Sequence, residues 1–146
     1  MRSEKLLEDI EAIKALQASF VYAVDDMVNF KHDIGQGLKG LLTDDVHFEM
    51  EGTPPAEGKD AVVQFLSDSE SDGLYTYMSH MLSNPVIDVS GDGAKGRWYV
   101  YCVLKLASRT NPAYSWFHGS YDNTYKKIDG RWKIHGFRAH GLHEPI

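Results

Sequence analysis

The chain has 146 residues, 42% of them hydrophobic and 25% charged, with a formal net charge of −6 at pH 7. That length supports one buried core, so residues 1–146 are expected to form a single domain, and the composition excludes a fibrous or disordered class. The acidic balance repels phosphate backbones and no basic patch offsets it, which excludes nucleic acid as a partner.

The N-terminal MRSEKLLEDIEAI carries charges throughout instead of an apolar signal core, and no later stretch reaches the length of a membrane span. A cytoplasmic protein with no membrane partner is expected. From Ser3 to about Met27 the residues Leu6, Ile10, Ile13, Phe20 and Val24 recur at spacings of three and four or their sums, with Ser3 as N-cap. This predicts a long amphipathic helix. At 100° per residue Asp25 falls near the flank of the apolar stripe, whereas Tyr22 and Asp26 fall opposite it on a solvated or interface face. A short helical piece around Leu38 to Leu42 is weakened by Gly35, Gly37 and Gly40. A third helix is predicted from Lys59 to Leu66, after the loop TPPAEG.

Strands fill the remainder. VHFEME alternates from Val46 to Glu51, and VIDV turns at SGDG into AKGRWYVYCVLKL. Gly91 and Gly93 serve that turn; a phosphate loop would need a helix after it, and a strand follows. After the loop SRTNPA comes YSWFHGSYDNTYKKI, and Asp129-Gly130 makes a tight turn into RWKIHGFRAH. Cys102 is the one cysteine, so no intramolecular disulfide is possible, which fits a reducing compartment and a packed thiol. Eight Tyr, six Phe and three Trp point to a wide aromatic core, a ligand cavity or a subunit interface. Helices first and a meander of long antiparallel strands after them give an α+β fold, one curved sheet wrapped around the long helix.

The blocks AVDD (Ala23 to Asp26), LLTDDVHFEMEG, EGKDAVVQFL, SHMLSNPVIDVSGDGAKG and HGSYDNTYKKIDGRWKI, in this order, resemble the SnoaL-like branch of the nuclear transport factor 2-like superfamily. The resemblance covers nearly the whole chain and implies a cone-shaped α+β fold. Within the branch the chain looks like scytalone dehydratase and hexachlorocyclohexane dehydrochlorinase, both cofactor-free lyases. The resemblance implies a catalytic pair, an aspartate late in the first helix and a histidine just ahead of the first long hairpin, which fall on Asp25 and His80. A neutral imidazole accepts a proton near neutral pH, and a carboxylate on its other nitrogen fixes the tautomer and stabilises the imidazolium.

The family's pocket-facing position in GSYDNTY falls on Tyr121, and alternation along the strand places Gly119 and Asn123 on the same face. On the preceding strand that parity gives Trp98, Val100, Cys102, Leu104 and Leu106, with Arg97, Tyr99, Tyr101 and Lys105 on the outer face. Met50 and Leu104 stand where scytalone dehydratase has a tyrosine and a second histidine that activate a carbonyl, and Gly119 and Tyr121 where it has a serine and an asparagine. Scytalone is therefore not the expected substrate, and the surviving acid and histidine pair more closely resembles the dehydrochlorinase arrangement. If the last strand has no bulge, Arg138 lies on the side of Trp132 and reaches an anionic or halide leaving group; a salt bridge is the plainer role.

A small-molecule substrate, largely apolar and cyclic, is expected to bind among Tyr121, Met50, Trp98, Cys102, Leu104 and Arg138. The expected reaction is a cofactor-free lyase or isomerase step begun by proton abstraction. Two alternatives stay open: a non-catalytic small-molecule-binding module, and a small subunit of a ring-hydroxylating oxygenase. The histidines of HGFRAHGLH have no zinc-site spacing, so no metal is expected. The Tyr99 and Tyr101 face predicts a homo-oligomer, and the resemblance implies a trimer or a dimer.

Overall fold

The computed structural model describes residues 3–31, 33, 35–71, 73–107 and 114–144. The loop expected at 108–113 lies outside the described residues. Helix α1 runs from Glu4 to Phe30, with the Ser3 hydroxyl accepting from the Leu6 N–H at 3.2 Å as its N-cap. Helix α2 (Gly35–Leu41), strand β1 (Leu42–Met50), a two-residue strand β2 (Ala56–Glu57) and helix α3 (Lys59–Ser71) follow. Four long strands complete the chain: β3 (Tyr75–Ser90), β4 (Gly93–Leu106), β5 (Ser115–Ile128) and β6 (Arg131–His143).

The strands form one six-stranded sheet in the order β2-β1-β6-β5-β4-β3. The meander β3 to β6 is antiparallel, as its alternation predicts, but β1 runs parallel to β6, so the sheet is mixed. No helix among the described residues is long and apolar enough to cross a membrane.

Two irregularities decide where side chains point. In β3 the register shifts between Ser83 and Val86, and Asn84 takes φ 54°. Pro85 has no N–H to give, yet β3 is an edge strand and tolerates both, so the strand runs on through Asn84-Pro85 and takes in His80. His80 thus lies within the strand, not ahead of it. In β6 the pairing moves from Tyr125↔Ile134 to Thr124↔Gly136, leaving His135 as an extra residue. That bulge reverses the alternation: Trp132 and Ile134 face the core before it, Phe137 and Ala139 after it.

The inner face of the sheet packs on α1. Phe137 is the hub, stacked on Phe48 with centroids 4.7 Å apart and packed on Phe20 and Tyr121 at 5.2 and 4.6 Å. Polar residues also lie on the inward side of α1. Asp9, Gln17, Asp25 and Asn29 fall on one row of four-residue steps that spans about 30 Å. Each grips the sheet. Asp9 accepts from Trp132 Nε1 and Lys127 Nζ, both at 2.8 Å. Gln17, with no exposed surface, accepts from Asn123 Nδ2 at 2.8 Å and from the Tyr125 hydroxyl at 2.7 Å. Buried polar groups need such partners, so these bonds fix how the helix slides and rotates over the sheet.

Candidate active site

Asp25 sits late in α1, where the helix crosses the free edge of β3. Its Oδ2 accepts from the backbone N–H of His80 at 2.9 Å and its Oδ1 meets His80 Nδ1 at 2.6 Å. Both side chains are almost enclosed, at 10% and 8% exposure. One turn further along, Asn29 Oδ1 accepts from the Met78 N–H at 2.8 Å and Asn29 Nδ2 donates to the Met78 carbonyl at 2.7 Å. The helix thereby covers the unpaired backbone of an edge strand and holds the His80 ring at the same time. Asn29 is the residue that apolar periodicity passes over. Its signal is its place one turn after Asp25 on the inward row.

A carboxylate only accepts, so Nδ1 carries the ring proton and a neutral ring leaves Nε2 as a bare lone pair. Nε2 has no hydrogen-bond partner among the described residues. Among them, the sole sealed side-chain nitrogen or oxygen without a partner is Gln17 Nε2. The Tyr121 hydroxyl likewise makes no hydrogen bond with another described residue, and the residue as a whole is 4% exposed. The site therefore offers two polar atoms that no described residue engages. Phe117 closes one side of the His80 ring edge-on at 5.8 Å.

The expected neighbours are mostly on this inner face. Cys102 pairs with His80 across β3 and β4, and Leu104 pairs with Met78. Trp98 pairs with Tyr121 across β4 and β5. Trp98, Cys102, Leu104 and Tyr121 are buried, and Met50 at the end of β1 packs against the core half-buried. Burial pushes the Cys102 thiol up to about 12, with the Asp25 charge adding to the effect, so it is a neutral lining group. Burial likewise raises the Tyr121 hydroxyl far above the usual phenol range, with Cys102 and Asp25 contributing.

Arg138 is a correction. The bulge at His135 turns it to the outer face, where its Nε donates to Glu49 Oε2 at 3.1 Å with the side chain 61% exposed. Arg138 lines an open outer cleft of about 540 Å³ with Lys95, Arg97 and Asp122, and none of Asp25, His80 or Tyr121 borders it. The C-terminal histidines are separately engaged: His135 with Thr43 and Asp45, His140 with Asp122, and His143 against the His118 ring. Among the described residues no three His, Cys, Asp or Glu are grouped to hold a metal ion.

Comparison with solved structures finds this fold repeatedly. A scytalone dehydratase-like protein from Novosphingobium aromaticivorans is 23% identical with TM-score 0.80, covering 99% of this chain and 89% of its own. LinA is 20% identical with TM-score 0.80, over 96% of this chain and 90% of its own. A hexachlorocyclohexane dehydrochlorinase, LinA-type3 from Novosphingobium barchaimii, is 19% identical with TM-score 0.79, over 95% and 91%. No functionally curated protein matches significantly. The model of the SnoaL-like domain matches residues 5–138, and the chain accordingly belongs to the SnoaL-like family.

Proposed function

We propose that the protein is a cofactor-free lyase or isomerase acting on a small, largely apolar cyclic substrate, and that His80 starts the reaction as a base. The observation that carries this reading is the Asp25–His80 pair, with the carboxylate on Nδ1 and Nε2 unbonded. Nε2 takes a proton from carbon, and Asp25 stabilises the imidazolium that forms. The electron pair left behind builds a double bond. Loss of a leaving group from the neighbouring carbon makes the enzyme a lyase; return of the proton at another carbon makes it an isomerase. Low water content around the pair strengthens its attraction. Base and orienting acid both come from the chain, so the step needs no cofactor.

Trp98, Cys102, Leu104, Met50 and Tyr121 supply the apolar and aromatic wall for the substrate. The outer face, where Tyr99 is 56% and Tyr101 42% exposed, supports self-association. The test is a panel of alicyclic hydroxyketones, β,γ-enones and chlorinated cyclohexanes, incubated with the protein alone and followed by NMR for loss of water, loss of hydrogen chloride or double-bond migration. Turnover of one class, lost in His80→Ala with folding intact, is the expected result. Turnover that survives His80→Ala would remove His80 as the base, and binding without turnover across the panel would favour a binding module.

A further inference from the structure

Resting on the self-association proposed for the outer face, and going beyond it, we propose that this face pairs two copies of the chain about a twofold axis through a row of alternating charges that is its own complement. The row crosses four strands. Glu49 on β1 stands beside Arg138 on β6. The pairings Tyr121↔Ala139 and Thr124↔Gly136 set Arg138 next to Asp122 on β5, and Asp122 pairs with Arg97 on β4. The signs therefore run minus, plus, minus, plus. Arg138 Nε donates to Glu49 Oε2 at 3.1 Å, whereas Arg97 Nε stays 3.8 Å from Asp122 Oδ1 with its side chain 64% exposed, so the row keeps charge to offer outward.

A half-turn about the middle of this row reverses its order, so a second copy laid face to face presents plus, minus, plus, minus. Every charge then meets its opposite: Arg97 of the second copy lies against Glu49, and Asp122 of the second copy against Arg138. The relief matches under the same half-turn. The row on one side of the charges carries Tyr99, 56% exposed, and the row on the other side holds Gly136 beside Thr124, where the cleft of about 540 Å³ opens. A side chain at 136 would strike Thr124 Oγ1, 2.6 Å from an ideal Cβ, so that position leaves the gap open. Tyr99 of each copy fills the His47 and Gly136 end of the cleft in the other. Five strands about 4.8 Å apart, with outward rows about 6.8 Å apart, give the four rows from Tyr101 to Lys95 an extent on the order of 650 Å². A stable pair takes about 800 Å² from each partner, so the face is of the right size. A ring would set two different patches against each other, and the alternation would then have no counterpart.

The test is sedimentation velocity at low ionic strength, where the wild type is expected as one species of twice the chain mass. Asp122→Arg and Arg138→Asp each set like charges against each other across the axis, and symmetry repeats the clash. Each variant alone should therefore dissociate, its dissociation constant raised about a hundredfold or more, with thermal unfolding still cooperative. Mixed in equal amounts, the two variants restore opposite signs at every position of the row. The mixture should recover the wild-type mass. Recovery on mixing reports a contact between copies, which a change confined to one copy cannot produce. A trimeric wild type, a single variant that associates as the wild type does, or a mixture that stays monomeric would overturn the twofold pairing. A monomeric wild type would overturn it together with the self-association beneath it, and none of these outcomes touches His80, whose test is turnover.

Discussion

Asn29 and Met78 exchange two hydrogen bonds, at 2.7 and 2.8 Å, as neighbouring strands do, with an amide side chain standing in for a backbone. Met78 is two residues before His80 on β3 and Asn29 one turn after Asp25 on α1, so the amide clamp sets the height at which acid and imidazole meet. Asn29→Ala leaves a strand N–H and carbonyl without their partner, a cost of about 1–3 kcal/mol. The variant should melt lower and turn over more slowly through kcat, because the base is displaced while the substrate wall is intact. Thermal unfolding and steady-state kinetics on the same preparation check both.

Arg138 points away from the pair and forms an exposed ion pair with Glu49. Exposed pairs contribute little, about 0–1 kcal/mol. Arg138→Ala should therefore leave kcat within about twofold of wild type, since a rate change that small lies below 1 kcal/mol. A hundredfold loss would place the guanidinium back in the chemistry.

Cys102 lies across from His80, close enough to suggest a thiol nucleophile, yet burial pushes its proton affinity up to about 12. Only the thiolate attacks. Iodoacetamide at pH 8 should leave the folded protein unmodified and modify it once unfolded, as mass spectrometry would show. Cys102→Ala should retain turnover.

Asp9 contributes stability that depends on pH. Its carboxyl is held below the usual range by the hydrogen bonds from Lys127 and then Trp132, against the opposing effect of burial. A depressed folded value means that this stabilisation is complete above the unfolded value, about 3.9, and is lost as pH falls through the lower folded value. Acid unfolding should begin below about pH 4 in the wild type. Asp9→Asn should flatten that part of the stability curve. Urea midpoints measured at pH 3 to 6 give the answer directly.

The period-two pattern of β4 and β5 carries enough information to sort their side chains: Trp98, Cys102 and Tyr121 go inward and Tyr99 and Tyr101 outward, as alternation requires. Residues that break periodicity carry less. The bulge at His135 is set by how β6 must meet both β5 and the parallel β1, a long-range demand that no local pattern records, and it moved Arg138 to the other face. The reach of β3 back to Tyr75 was hidden by Asn84-Pro85, which reads as a break until the strand is known to lie at an edge. On α1 an apolar stripe is easy to follow, whereas the polar row Asp9, Gln17, Asp25 and Asn29 means little without the sheet groups it binds. Asp25 and His80 were reachable through family resemblance; their contact depends on a helix and a strand fifty-five residues apart.

The proton on the His80 ring decides the account. Nitrogen-15 NMR of labelled protein near neutral pH, with His80→Gln to assign the signals, should find Nδ1 protonated and Nε2 bare, and Asp25→Asn should disturb that arrangement. A neutral ring with its proton on Nε2, or one indifferent to Asp25→Asn, would contradict His80 as the base.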